Sequence, residues 1–255
     1  MHDYACLTIA ADGPVAHLRL TRPDLHNRFD EPLHAEFPAA LAELGRQDLA
    51  AVILSAEGRS FSAGGDLEMM LRANALAPMR RRLAAEGAAI IEGLLALPCP
   101  VVAAVQGAAI GLGATIITCC DIVVAWRGAR IVDPHVRLGL VAGDGGVMGW
   151  SGSVGMMRAR RYLLTGDSLT AEQACAMGMI SDLVDTPEEA LAGARAIADR
   201  IAALPRGGVQ GTKRAFSRLA RDAFGAAFEL SLALEMETLG GPEVLAAATA
   251  ARDQR

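Results

Sequence analysis

Between Cys99 and Cys120 the only clearly polar side chains are Gln106, Thr115 and Thr118. A run of about 20 apolar residues is long enough to cross a bilayer. Pro98 and Pro100 punctuate its start, however, and Gln106-Gly107 breaks its middle. Val101-Val102-Ala103-Ala104-Val105 is short and β-branched, which suits a strand buried on both faces. Gly107, Gly111 and Gly113 then suit a turn into a tightly packed helix. A buried strand–turn–helix is expected here rather than a membrane span.

The flanking sequence repeats this alternation. Cys6–Ala10 and Val15–Leu20 read as strands joined at Asp12-Gly13. In the second, Ala16, Leu18 and Leu20 alternate with His17 and Arg19, so one face is expected to be wet. Asp30 can cap a helix through Leu33, Phe37, Leu41 and Leu44. Ala51–Leu54 reads as a buried strand, followed by helices from about Leu67 and from about Met79 to Leu97. A helix from about Leu112 to Cys119 and a strand at Ile122–Ala125 come next. Thr170-Ala171-Glu172-Gln173 is a capping box, with Gln three residues after the cap, and its helix ends near Gly178. Strands alternating with helices imply an α/β fold with crossover connections. Beyond about Pro187 only helical periodicity remains, so residues 1–187 read as a core and 188–255 as a helical region. No internal repeat stands out.

The chain has 255 residues, enough to bury a large core without disulfides or metal. Its formal charge is 24 − 29 = −5, which argues against nucleic acid as the main partner. Five cysteines, Cys6, Cys99, Cys119, Cys120 and Cys175, contain no C-x-x-C pair and read as reduced thiols of a cytoplasmic protein. Met1-His2-Asp3-Tyr4 shows no signal-peptide pattern.

Several chemistry-bearing motifs fail. Gly111-Leu112-Gly113 follows a strand, but Ile116 stands where a dinucleotide fingerprint needs its last glycine. Gly149-Trp150-Ser151-Gly152-Ser153 misses the final glycine of a nucleophile elbow. No two histidines make an H-x-x-x-H pair, so no metal site is expected. Arg80-Arg81-Arg82 reads as a solvated helix face.

Two glycine-rich turns remain. Ser60-Phe61-Ser62-Ala63-Gly64-Gly65-Asp66-Leu67 follows the Ala51 strand, and Gln106-Gly107-Ala108-Ala109-Ile110-Gly111-Leu112-Gly113 follows the Val101 strand. Both precede helices. Two such turns on neighbouring strands could aim two N–H groups at one oxygen, an oxyanion hole. Two ordinary strand–helix turns would look the same.

These residues resemble the enoyl-CoA hydratase/isomerase family, the crotonase superfamily, over nearly the whole chain. The resemblance runs through Arg22-Pro23-Asp24 with Asn27, Arg59–Leu67, Pro100–Gly107, Gly111–Gly113, Cys120–Ile122, Leu138–Leu140, Leu164–Asp167 and Ala171–Ala174. It implies a spiral of strand-strand-helix units with a helical C-terminal region that makes trimers, often paired into hexamers. It implies a lyase or isomerase of fatty-acid metabolism that takes an acyl-coenzyme A, with coenzyme A entering as part of the substrate and no separate cofactor or metal. By position, the backbone N–H groups of Gly65 and Leu112 would form the oxyanion hole. Ala63, Gly64, Asp66, Leu67, Glu68, Gly111 and Thr115 would contact substrate.

The departures bear on the reaction. Hydrating members hold water with two glutamates; their positions carry Thr115 and His135 here. Asp144, in Ala142-Gly143-Asp144-Gly145-Gly146, resembles the aspartate position of dienoyl-CoA isomerases and dihydroxynaphthoyl-CoA synthases. The implied acid–base pair is therefore His135 and Asp144, with neutral His135 near pKa 6.5 taking the proton. Asp144 could instead cap a helix at Gly145, His135 could be a hydrogen-bonded surface residue, and Asp66 reads as the cap of the helix at Leu67. The implied activity is hydration or isomerisation of an unsaturated acyl-CoA. A thioester hydrolase, a carbon–carbon bond-cleaving member, or a non-catalytic acyl-CoA- or RNA-binding relative would carry the same turns. Phe224, Phe228, Leu232 and Met236 recur every four residues, a helix face that needs a cover and points to a trimer or dimer of trimers.

Overall fold

The structure is a computed structural model and describes residues 3–253, the side chain of Phe224 apart. Met1 and His2, read above for a targeting signal, lie outside the described residues. Strand β1 (Leu7–Asp12) turns at Gly13 into β2 (Val15–Leu20), and helix α1 (Glu31–Leu44) follows, capped by the Asp30 carboxylate on Leu33 N–H.

Three strand–strand–helix units come next. The first is β3 (Ala51–Ala56), β4 (Ser60–Ser62) and α2 (Leu67–Ala75), extended by α3 (Ala77–Ala96). The second is β5 (Val101–Val105), β6 (Ala108–Ile110) and α4 (Leu112–Thr118). The third is β7 (Ile122–Trp126), β8 (Arg130–Val132) and α5 (Gly146–Val154). Each unit gives its first strand to one sheet and its second to another, so the chain climbs as a spiral. Helix α6 (Met156–Leu163), strand β9 (Leu169–Thr170), helix α7 (Ala171–Ala176) and strand β10 (Asp182–Val184) complete the two sheets. Their orders are β1-β2-β3-β5-β7-β10 and β4-β6-β8-β9. From β2 to β10 the larger sheet is parallel. The repeat is geometric, which is why the sequence reading finds none.

Strand β5 shows why its residues are small and branched. Val101, Ala103 and Val105 face the main core, while Val102 and Ala104 face a second cluster with Ala51, Ile53 and Val124. That second face is covered by α8 (Pro187–Ala202), whose Ala190, Ala194 and Ala198 are fully buried at i, i+4 spacing. The expected wet face of β2 is thereby corrected. His17 is half-buried at this sheet face, its Nε2 2.7 Å from Ser55 Oγ, and burial pushes its pKa down to about 4.

Helix α9 (Arg206–Leu239) has 34 residues and is roughly 50 Å long. Helix α10 (Pro242–Asp253) follows it. Phe228 joins the main core, Leu232 packs against it, and Met236 packs with Met69, Leu83 and Leu140. The face expected to need a partner chain is thus covered within the chain at these three positions. In the arginine run, Arg81 and Arg82 are exposed as expected of a solvated helix face, and Arg80 alone departs from that reading. Arg80 donates to the carbonyls of Ala73 and Asn74 at the end of α2, and Arg82 pairs with Glu31. Among the described residues no helix is long and apolar enough to cross a membrane.

Candidate functional site

The two glycine turns meet. A Cβ on Gly64 would lie 2.5 Å from the Ile110 carbonyl oxygen, and Gly64 has φ +76°, so no side chain fits there. Gly111, at φ +52°, presents its Cα side to the His135 ring; a Cβ there would lie 3.7 Å from His135 Cε1. Ser62 Oγ fixes the first turn by accepting from Gly64 N–H and donating to the Asn27 carbonyl. Phe29 N–H donates to the Gly64 carbonyl and Asp66 N–H to the Phe29 carbonyl, a bridge that leaves Gly65 N–H between them unused. Leu112 opens α4, where helix geometry supplies no acceptor. Neither amide makes a hydrogen bond among the described residues.

Gly65 and Leu112 line one small cavity of about 60 Å³ together with His135 and Asp144. Its other walls are mostly apolar and include Met69, Met70, Leu83, Leu140 and Met236. The sequence places these four polar or amide-bearing positions as much as 79 residues apart (144 − 65). The spiral brings them together.

His135 is buried, not a surface residue. Its Nδ1–H donates to Asp133 Oδ1 at 2.5 Å, and its own backbone N–H donates to the same oxygen. Its Nε2 lies 3.6 Å from Asp144 Oδ2 and 3.9 Å from Glu235 Oε1. Burial disfavours the imidazolium, but the charges of Asp133 and Asp144 outweigh it and hold the pKa well above 6.5. The expectation of a neutral histidine near 6.5 is corrected accordingly. Asp133 is held below the ordinary carboxylate range: burial raises it, and the charge and hydrogen bond of His135 win.

The cap residue of α5 is Gly145, one residue after Asp144, yet the Asp144 carboxylate still meets the first amide of that helix. Asp144 Oδ1 accepts from Thr115 Oγ1 at 3.0 Å and from Gly146 N–H at 3.2 Å, while Oδ2 has no hydrogen-bond partner. Burial raises its pKa. Glu235, on α9, is likewise buried, with Oε2 unpartnered, and burial and the Asp144 charge push its pKa up to about 8.

The remaining sequence candidates fall around this centre. Asp66 caps α2 on Met69 N–H and pairs with Arg28 at 3.1 Å. Leu67 is buried and Ala63 half-buried, and Glu68 is exposed on α2. Thr115 is fully buried behind Asp144 rather than on the cavity wall. Two residues escaped the sequence reading. Asp133 looks like part of a turn before Pro134, and Glu235 looks like one polar position of a long helix. Asp133, His135 and Asp144 offer ligand atoms within 4.8 Å of one another, a grouping that could hold a cation and that no H-x-x-x-H pattern announces. A larger cleft of about 790 Å³, lined by Cys119, Ile122, Met148, Val209 and Phe216 among others, lies beyond the far end of α4 and includes neither glycine turn.

A spiral of strand–strand–helix units that brings two free turn amides to one cavity beside buried acid–base groups defines a class of enzymes that stabilise thioester enolates. The family model for enoyl-CoA hydratase/isomerase matches residues 10–242, and the chain belongs to this family. The 1,2-epoxyphenylacetyl-CoA isomerase of Escherichia coli K12 is 35% identical over 207 residues, 80% of this chain and 78% of that one. A crystal structure of an enoyl-CoA hydratase/isomerase from Mycobacterium paratuberculosis superposes with a TM-score of 0.93 at 32% identity, covering 98% of this chain and 100% of the other. A β-diketone hydrolase from the cyanobacterium Anabaena, bound to (S)-3-oxocyclohexyl acetic acid, superposes with a TM-score of 0.85 at 27% identity, covering 93% and 95%.

Proposed function

We propose that this enzyme binds an acyl-CoA with its thioester oxygen between the N–H groups of Gly65 and Leu112 and moves protons at the adjacent carbons with Asp144 and His135. The observation that carries this reading is the meeting of both free amides with His135 and Asp144 on one cavity. An enolate forming at the thioester would place its charge on the two amides, a contribution of about 10²–10³ in rate per donor. The Asp144 carboxylate is the base. His135, charged in the resting site and oriented by Asp133, is the acid. Thr115 supplies no carboxylate to anchor a second water contact, so proton transfer fits better than efficient hydration, and weak hydration of simple enoyl-CoAs is expected. Ala63, Gly64, Asp66, Leu67 and Glu68 shape or flank the first turn and its coenzyme A contacts, and Gly111 shapes the second turn. Solvent deuterium exchange next to the thioester tests the reading: Asp144→Asn and His135→Ala should lose it, and unchanged exchange in both overturns the assignment.

A second reaction, hydrolytic cleavage of a thioester or carbon–carbon bond, is favoured by one feature. Asp144 Oδ2 is buried without a hydrogen-bond partner and could seat a water. Release of free coenzyme A or of a cleaved acid, without exchange into recovered substrate, would select it.

The reading needs no cofactor or metal, so chelation should leave turnover unchanged. The five free thiols fit a cytoplasmic setting. We also infer a trimer or dimer of trimers. Phe216, Leu219 and Leu230 stand exposed on α9, and the 790 Å³ cleft opens beside Phe216. Light scattering that shows a stable monomer at micromolar concentration would remove this part.

A further inference from the structure

We propose that the acyl group this site accepts carries a second carbonyl oxygen, two carbons along from the thioester carbon, and that the Glu235 carboxyl on α9 donates a hydrogen bond to it. The inference rests on the cavity being the acyl site, as argued above.

The first support is geometric. Glu235 lines the same cavity as Gly65 and Leu112, and its Oε1 lies 3.9 Å from His135 Nε2. It therefore faces the reacting end of a bound acyl group. Most of the other walls are hydrocarbon, from Met69, Met70, Leu83, Leu232 and Leu239.

The second support is unmet hydrogen bonding. Glu235 Oε2 is buried and has no partner. A buried polar atom left unpaired costs about 1–3 kcal/mol. A plain hydrocarbon chain would leave that penalty in place when it filled the cavity. A ligand oxygen would remove it. Sites built to hydrogen-bond a substrate oxygen reject the analogue lacking it far more strongly than apolar pockets reject a methylene.

The third is protonation. The titratable groups sharing the cavity with Glu235 are His135 and Asp144 from the third unit, with Asp133 behind His135, and His34 from α1, whose pKa burial pushes down to about 4 so that it is neutral. Burial and the Asp144 charge keep the Glu235 carboxyl protonated at neutral pH, against the attraction of His135. A protonated carboxyl donates where a carboxylate only accepts. The partner it seeks is an acceptor, which a keto oxygen is. The small volume, about 60 Å³, favours a short acyl group.

A second carbonyl beside the enolisable carbon is also what hydrolytic carbon–carbon cleavage requires: water adds to the keto carbon, the bond to the carbon next to the thioester breaks, the keto fragment leaves as a carboxylic acid, and the bonding electron pair leaves as the thioester enolate, which is then protonated. The substrate preference therefore bears on which of the two reactions the site performs.

The test is calorimetric titration of the full-length protein with butyryl-CoA and acetoacetyl-CoA, which differ only by the keto oxygen. Wild type should bind acetoacetyl-CoA at least tenfold more tightly. Glu235→Gln keeps an N–H donor and should retain most of that preference. Glu235→Leu should reduce it to within about twofold while still binding butyryl-CoA. Equal binding of the two ligands by wild type overturns the proposal, as does a preference that survives in Glu235→Leu. Should Glu235→Leu not fold, the wild-type ratio and the Gln variant decide. Deuterium exchange into butyryl-CoA by wild type separates the two levels. Exchange without a keto preference removes only this inference, whereas no exchange and no binding of either thioester removes the function on which it rests.

Discussion

Thr115 Oγ1 donates a 3.0 Å hydrogen bond to Asp144 Oδ1, joining the second unit of the spiral to the third inside the core. The threonine stands where hydrating relatives would be expected to carry a glutamate, and its hydroxyl acts on a carboxylate instead of replacing one. The bond lowers the Asp144 pKa against the burial that raises it. Thr115→Val keeps the shape and removes the donor. Asp144 should then ionise at higher pH, so the acid limb of the pH–rate profile should move upward with the fold intact. A profile that does not move would show that Asp144 is not the titrating base.

Asp133 acts on the opposite limb. His135 is held charged by Asp133 and Asp144 against burial. If the imidazolium is the acid, Asp133→Asn should let it deprotonate sooner and move the alkaline limb to lower pH. The stability sign is fixed by the same shift. A histidine whose folded pKa lies above 6.5 contributes stability below that pH, and the contribution is lost as pH rises through the folded value. Urea titration of wild type and Asp133→Asn across this window should show wild type losing more.

Glu235 adds a pH dependence of the same sign. Its pKa rises from 4.5 to about 8 in the folded chain, through burial and Asp144. Its stabilising protonated form is fully present below pH 4.5, and stability is lost as pH climbs from there to about 8. Glu235→Gln cannot ionise. It should be more stable than wild type at pH 8 by roughly 1–3 kcal/mol, with little difference at pH 5. Equal melting temperatures at both pH values would show that Glu235 is not held protonated.

Much of this organisation is legible in the residues. The Asp30 cap, the Thr170 capping box, the Val101 strand and both glycine turns follow from local chemistry that the fold leaves intact. What escapes is set by distance. Strands β4, β6 and β8 have three residues each and β9 two, too few to show a period, yet they make the second sheet. Glu235 lies 100 positions after His135, and only the return of α9 across the spiral gives it meaning. Asp133 is two residues from His135, but a turn carboxylate and a histidine partner read alike until the ring's direction is known. His17 looked solvated because α8, some 170 residues later, was not in its local pattern.

Gly64 is where the two turns press together beside the amides. It combines a positive φ with a 2.5 Å clash between any Cβ and the Ile110 carbonyl, a backbone atom that cannot step aside alone. Gly64→Ala should push the two turns apart and strain the φ, destabilising by about 1–3 kcal/mol or more. Activity should fall further than stability, because the separation acts on the distance between the Gly65 and Leu112 amides. A variant with normal kcat and a lower melting temperature would disconnect the turn junction from the chemistry.

Leu112 allows the most direct test of the amide pair. It is the first residue of α4, where an N–H has no intrahelical acceptor and proline is well tolerated. Gly111 before it, at φ +52°, is a glycine and so least hindered by a following proline. Leu112→Pro therefore deletes one donor at a position where the helix does not need it. Leu112→Met keeps the donor and nearly the volume, at a packing cost under about 1.5 kcal/mol. Circular dichroism should report the same helix content for both. Turnover should stay near wild type in Leu112→Met and drop about 10²–10³ in Leu112→Pro, as expected for one missing oxyanion donor. The drop should lie mainly in kcat, since the charge the amide meets develops only as the enolate forms. If the proline variant is folded and turns over like wild type, the thioester oxygen is not held at Leu112. The cavity's chemistry would then have to be rebuilt from Gly65 alone.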